Sequence, residues 1–79
     1  MSNVIRRKIL EILKAHDDSG SAQYYSDKKL AEELGMSVKE VQDQLEILEG
    51  QGLMEVDKVM GPEYSAMINH RGKLYLEED

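Results

Sequence analysis

A glycine at position 35 separates two stretches with helical periodicity, and it constrains the fold more than any other residue. Glycine can end a helix in the left-handed conformation without the steric penalty that a Cβ atom would bring. The preceding helix is expected to begin at Ser26 or Asp27, either of which can cap the free amides of a first turn. We therefore predict a helix that ends in a sharp turn at Gly35. Its buried side chains are predicted to be Leu30, Ala31 and Leu34.

A second helix is predicted directly after this turn. Ser37 and Glu40 have the S-x-x-E spacing of a capping box, and Met36 and Val41 have the spacing of a hydrophobic staple. The two glycines of the segment 50–52 are expected to end the helix. Its apolar residues alternate at three- and four-residue steps and predict one buried stripe, consisting of Val38, Val41, Leu45 and Leu48.

The first part of the chain predicts another helix and a short extended piece. Residues 2–16 have helical periodicity, and the polar string 16–21 lacks it and is expected to be a loop. Residues 22–25 are expected to be extended, which would point Tyr24 and Tyr25 to opposite faces. The buried face of the first helix is predicted to contain Ile5, Ile9, Ile12 and Leu13, widened by Val4 and Leu10.

The last part of the chain predicts two antiparallel strands and a final helix. Segments 53–60 and 64–68 are rich in β-branched and apolar residues, and Gly-Pro-Glu at 61–63 supplies a turn between them. Asn69 can cap the final helix, in which Gly72 is a poor helix former. The predicted order is therefore helix, strand, helix, helix, strand, strand, helix.

Ala31, Gly35 and Val41 follow one another at intervals of four and six residues. Alanine keeps the first helix thin where the second crosses it, glycine makes the corner, and valine fills the angle between them. This pattern resembles the helix-turn-helix signature, and with the two strands that follow, the chain resembles the winged-helix family of prokaryotic-type transcriptional regulators. The resemblance covers nearly the whole chain. It implies an α+β fold: a small three-helix bundle with a short antiparallel sheet, the wing.

Length and composition restrict the class of protein. The 79 residues are expected to form one domain, 1–79, since so short a chain buries only about 60% of its unfolded surface. Without cysteine there is no disulfide and no thiolate zinc site. No apolar run approaches the roughly 20 residues that span a bilayer, and the N-terminus lacks the apolar core of a signal peptide. We expect a cytoplasmic protein with no membrane partner.

No pattern in the sequence predicts catalysis. The chain contains no P-loop, no H-E-x-x-H string and no G-x-S-x-G string. The His-Asp-Asp run at 16–18 has no second cluster of ligands that would complete a metal site. We therefore expect that the protein is not an enzyme and that it binds no cofactor and no metal.

The family resemblance implies double-stranded DNA as the partner, because the second helix of the motif enters the major groove in that family. The reading positions on the helix 37–49 would be Ser37, Val38, Lys39, Glu40, Gln42, Asp43 and Glu46. Lys39 would pair with guanine, Gln42 with adenine, and Asp43 would accept from cytosine. Phosphate contacts would come from Lys28 and Lys29 before this helix, from Lys58 on the wing, and from Arg71 and Lys73 beyond it.

The charge distribution favours a different partner. The net charge is −6, and the helix 37–49 carries Lys39 against four acidic residues. A carboxylate about 4 Å from a phosphate costs on the order of 1 kcal/mol in water. The sequence therefore leaves open a protein-interaction module that uses this acidic helix and an apolar wing tip at Val59 and Met60. The contrast with the basic first helix also leaves a homodimer open.

Overall fold

A computed structural model describes residues 2–20, 24–58 and 61–78, and side chains from residue 4 onward. The predicted order of helices and strands is confirmed. Within the described residues, no helix is both long enough and apolar enough to cross a membrane. The elements are α1 (Ser2–Asp18), β1 (Tyr25–Ser26), α2 (Asp27–Leu34), α3 (Val38–Gly50), β2 (Met54–Asp57), β3 (Ser65–Ile68) and α4 (His70–Glu77).

The turn between α2 and α3 has the predicted local structure. The Ser26 hydroxyl accepts hydrogen bonds from two amides in the first turn of α2. Gly35 follows α2 in the left-handed conformation, with φ 66° and ψ 34°. The Ser37 hydroxyl accepts from the Glu40 amide at 3.1 Å, and the Ser37 amide donates to Glu40 Oε1 at 3.0 Å. Both caps and the turn are therefore confirmed.

The three strands form one antiparallel sheet in the order β1-β3-β2, with β3 in the centre. Tyr25 lies opposite Ala66, and Met54 lies opposite Ile68. Because β1 precedes α2 and β2 follows α3, the sheet holds the helix pair at both ends. The strands are shorter than predicted. Parts of the predicted segments, residues 22–23 and 59–60, lie outside the described residues.

The core lies between the three N-terminal helices and one face of the sheet. Tyr25 is buried and Tyr24 is exposed, in agreement with the prediction that the two side chains point to opposite faces. Four residues that were predicted to be buried are only partly buried, at the margin of the core: Ile5, Ile12, Leu34 and Val38. The buried apolar residues are Ile9, Leu10 and Leu13 from α1, Leu30 and Ala31 from α2, Val41, Leu45 and Leu48 from α3, and Tyr25, Leu53, Met54, Ala66 and Ile68 from the sheet region.

Two expectations for α1 are wrong. Val4 is 58% exposed, because it lies about 140° around the helix from the fully buried Ile9. The helix also continues to Asp18 where a loop was expected to begin at residue 16. Lys14 Nζ binds Asp18 Oδ2 at 2.8 Å across this last turn. That hydrogen bond lowers the pKa of Asp18 and raises the pKa of Lys14.

Helix α4 is anchored to the sheet at its first turn. Asn69 Oδ1 accepts from the Gly72 amide at 2.8 Å, which confirms the predicted cap, and its Nδ2 donates to the Gly52 carbonyl at 3.0 Å. A Cβ atom at Gly72 would overlap the Leu53 carbonyl oxygen and lie 2.7 Å from Ile68 Cγ1. The glycine that looked unfavourable for a helix therefore permits close packing.

Candidate nucleic-acid interface

The exposed side of α3 is the centre of the candidate interface. Ser37 caps the N-terminal end of this helix, and its hydroxyl accepts a hydrogen bond within the capping box. Four exposed side chains that carry charge follow it: Lys39, Glu40, Asp43 and Glu46.

A buried aspartate joins α3 to the rest of this surface. Asp27 is 1% exposed, and its Oδ2 accepts from Gln42 Nε2 at 2.8 Å and from the Tyr64 amide at 2.9 Å. Gln42 Nε2 also donates to the Pro62 carbonyl at 2.8 Å. We call this set of bonds the Asp27–Gln42 bridge. It fixes α2, α3 and the turn between β2 and β3 to one another.

The Asp27–Gln42 bridge conflicts with the contact to adenine that was expected of Gln42. Pairing with adenine uses a side-chain amide that both donates and accepts. The Gln42 amide nitrogen already donates to Asp27 and to Pro62, so contact with adenine would break those bonds. Asp27 and Pro62 are 15 and 20 positions from Gln42 in sequence, so no local sequence pattern predicts these hydrogen bonds.

Two of the predicted DNA-binding lysines lie at the N-terminal end of α3. Lys28 and Lys39 line one shallow groove, together with Pro62 and Glu63 of the β2–β3 turn. Lys28 Nζ lies 3.0 Å from Glu63 Oε2, and this contact raises the pKa of Lys28. Lys29 Nζ lies 5.2 Å from the centre of the Tyr25 ring. Lys28 and Lys39 therefore lie beside the same groove, whereas Lys29 lines a different groove with His16 and Glu33.

The lysine contacts with carboxylates are exposed. Lys39 Nζ lies 3.4 Å from Asp43 Oδ1, and the two side chains are 83% and 58% exposed. The side chains of Lys28 and Glu63 are 63% and 59% exposed. Exposed ion pairs contribute about 0–1 kcal/mol. A phosphate could therefore replace either carboxylate at little cost.

Lys58 and Tyr64 connect the hairpin to the C-terminal half of α3. Lys58 Nζ lies 3.4 Å from Glu49 Oε1 and 5.3 Å from the centre of the Tyr64 ring. The Tyr64 hydroxyl donates to Glu46 Oε2 at 2.6 Å, and this bond raises the pKa of Tyr64. Sequence reasoning missed Tyr64 and Asp27, because their roles depend on contacts between distant segments.

Two predicted phosphate contacts lie away from this surface. The Arg71 guanidinium is next to Gly52, beyond the C-terminal end of the 13-residue α3. That end is about 20 Å from the end that carries Lys39. Lys73 Nζ binds Asp17 on α1. Arg71 and Lys73 are therefore not brought together with the lysines around the N-terminal end of α3.

A second group of polar side chains lies between α1 and α2. The Tyr25 hydroxyl donates to the Glu33 carboxylate, and the His16 ring meets the Tyr25 ring edge-on at 4.9 Å. Burial, helped by the bond to Glu33, raises the pKa of Tyr25 to about 12. Its hydroxyl therefore stays protonated at neutral pH and holds α2 against β1.

The capping box gives a pH-dependent prediction. The hydrogen bond from the Ser37 amide lowers the pKa of Glu40. A lowered folded-state pKa means that the stabilisation is present above the unfolded pKa and is lost as pH falls through the folded value. We expect the NMR shift of the Ser37 amide proton to change only as the pH falls below the range in which a glutamate ordinarily titrates. In Glu40→Gln, which keeps an acceptor, the shift should stay constant. A constant shift in the wild type would contradict the capping box.

Three comparisons with known proteins found no match. No protein-family model matches the chain, and no curated protein and no solved structure was found to be similar to it. In the described part of the chain, no group of three or more His, Cys, Asp or Glu side chains could hold a metal ion.

Proposed function

We propose that this chain is a winged helix-turn-helix domain that binds double-stranded DNA through α3 and acts in transcriptional regulation. The observation that carries the proposal is the Asp27–Gln42 bridge, which joins both helices of the pair and the hairpin into one surface. Because α2, α3 and the β2–β3 hairpin are already held together, α3 can enter the major groove while the hairpin contacts the adjacent DNA backbone, with little loss of conformational entropy. In this proposal α3 is the recognition helix and the β2–β3 hairpin is the wing.

The position of the positive charges supports the same proposal. Lys28 and Lys29 stand in the first turn of α2, and Lys39 stands in the first turn of α3. Phosphates are favoured at helix N-termini, where the helix dipole and free amides attract an anion. In this proposal Lys28, Lys29 and Lys39 contact the phosphate backbone beside the recognition helix.

The carboxylates on α3 predict low affinity. Glu40, Asp43 and Glu46 lie on the same exposed face as Lys39. A carboxylate about 4 Å from a phosphate costs on the order of 1 kcal/mol in water. We therefore expect binding that is measurable in dilute salt and decreases steeply as salt rises.

Fluorescence anisotropy with a mixed-sequence duplex tests this function. Three phosphate contacts predict a slope of about −3 in a plot of log affinity against log salt. Replacing Lys28 and Lys29 together with alanine should reduce that slope by about two. The matched control replaces Lys8 and Arg71 with alanine, which removes the same charge elsewhere and should leave the slope unchanged. If both double variants behave alike, the assigned surface is wrong.

A second candidate function is a protein-interaction module that uses the same face. It is favoured by the composition of α3, where Lys39 stands against Glu40, Asp43, Glu46 and Glu49. The expected apolar anchors Val59 and Met60 lie outside the described residues. Glu46→Gln separates the two functions, because it should tighten DNA binding about fivefold by removing one repulsion of about 1 kcal/mol. No DNA binding by either the wild type or this variant in dilute salt would favour a protein partner.

The expectation of a homodimer stays a prediction. The basic residues of α1 that suggested self-association are partly engaged within the chain. Arg6 Nη1 donates to Gln44 Oε1 at 3.2 Å, and Arg7 Nη2 donates to the Leu76 carbonyl at 3.2 Å. Both arginines therefore hold α1 against neighbouring helices of the same molecule.

A further inference from the structure

We propose that α3 selects G·C base pairs through Lys39 and Asp43, which together read one base pair. This inference rests on the proposed function, since it concerns the DNA that the domain would bind. It follows from which reading positions of α3 the fold leaves exposed and which it uses internally.

The fold engages four of the predicted reading positions in internal contacts. Gln42 is held by the Asp27–Gln42 bridge, the Ser37 hydroxyl and a Glu40 oxygen form the capping box, and Glu46 accepts from the Tyr64 hydroxyl. Lys39 and Asp43 instead bond to each other, at 3.4 Å between Nζ and Oδ1, with exposed fractions of 83% and 58%. An exposed pair of this kind parts at little cost. The ammonium group of Lys39 and the carboxylate of Asp43 are thus available to a ligand near the N-terminal end of α3.

A G·C pair offers complementary groups to such a pair of side chains. In the major groove guanine presents two acceptors, O6 and N7, and cytosine presents the N4 amino donor. The ammonium group of Lys39 would donate to guanine, and the Asp43 carboxylate would accept from cytosine. Because the two charged groups lie one helical turn apart, they can reach both bases of the same pair.

An A·T pair fits the same two side chains less well. Adenine N6 also donates, but thymine offers the lysine one acceptor, O4, beside a methyl group. A carboxylate that faces N7 or O4 meets an acceptor and is left unpaired. Asp43 therefore contributes to selectivity by repulsion as well as by attraction.

The test compares anisotropy titrations of two duplexes of equal length in dilute salt, one with a G·C core and one with an A·T core. We expect the wild type to bind the G·C duplex at least about fivefold more tightly. In a third duplex, 7-deazaguanine replaces guanine and removes the N7 acceptor without changing charge or pairing. The preference should decrease on this duplex.

Substitutions of Lys39 and Asp43 test whether these two residues cause the G·C preference. Asp43→Asn should lose most of the G·C preference, because an amide can also pair with adenine. Lys39→Gln should lower both affinity and preference. Glu78→Gln is the matched control: it removes one acidic charge beside Arg71, away from the candidate interface, and we expect it to keep the preference.

The outcomes separate this inference from the proposed function. If the wild type binds neither duplex, the DNA-binding function fails and the inference fails with it. Equal binding of both duplexes, with a steep salt dependence, would overturn only the base-pair selection. A G·C preference that survives in both Asp43→Asn and Lys39→Gln would also overturn it, because other residues would then be responsible.

Discussion

Gly72→Ala is expected to lower the free energy of unfolding by about 3 kcal/mol or more, although alanine is the better helix former. The added Cβ atom would overlap the Leu53 carbonyl oxygen and press against Ile68 Cγ1 at 2.7 Å. One of these neighbours is backbone and the other is buried in the core, so neither can move aside easily. Either α4 must shift away from the sheet, or its first turn must open. Urea unfolding followed by circular dichroism measures the difference.

Gly50→Ala is the matched control for this substitution. Gly50 also lies in a helix, the last residue of α3, and a Cβ atom there would meet nothing within 4 Å. We expect this variant to be more stable than the wild type by about 0.5–1 kcal/mol, from helix propensity alone. Equal effects of the two substitutions would mean that α4 does not pack against Leu53 as the structure describes.

The two glycines show which parts of the fold the sequence can predict. Gly35, the Ser37–Glu40 capping box and the Asn69 cap were predicted correctly, because each depends on residues within about four positions of one another. Gly72 was judged by its helix propensity alone. The atoms that require a glycine there belong to Leu53 and Ile68, which reach it only after the sheet has formed.

The candidate interface was predictable to a similar extent. Positions such as Lys28 and Lys39 follow from the helix pair and the family resemblance. Their ionic partners do not: Glu63 is 35 positions from Lys28 and is brought beside it by the hairpin. The position of Gln42 was likewise predicted, but its hydrogen-bond partners required the tertiary structure. Pairing between distant segments is set by the packing of the whole chain, and no local pattern reports it.

Asp27→Ala is expected to lower the free energy of unfolding by about 2–4 kcal/mol, because two donors lose their acceptor inside the protein. Asp27 Oδ2 accepts from Gln42 Nε2 at 2.8 Å and from the Tyr64 amide at 2.9 Å. Asp27→Asn keeps a side-chain oxygen that can accept these hydrogen bonds, so its free energy of unfolding should decrease much less. Hydrogen exchange adds a local measurement, since the Tyr64 amide should exchange faster in the alanine variant alone. Equal stability of the alanine and asparagine variants would contradict the acceptor role.

Gln42→Glu turns the same bridge into a pH-dependent destabilisation. The new carboxylate would face Asp27 where the wild type has a 2.8 Å hydrogen bond, and this repulsion would raise the folded-state pKa of the introduced glutamate above its unfolded value. Protonation then favours the folded state, so the variant should be least stable at neutral pH and recover as pH falls towards about 4. Gln42→Ala loses the same bonds without adding charge. Its stability deficit of about 1–2 kcal/mol should therefore change little over this range. If Gln42 instead pointed freely towards DNA, both variants would match the wild type within about 0.5 kcal/mol at every pH.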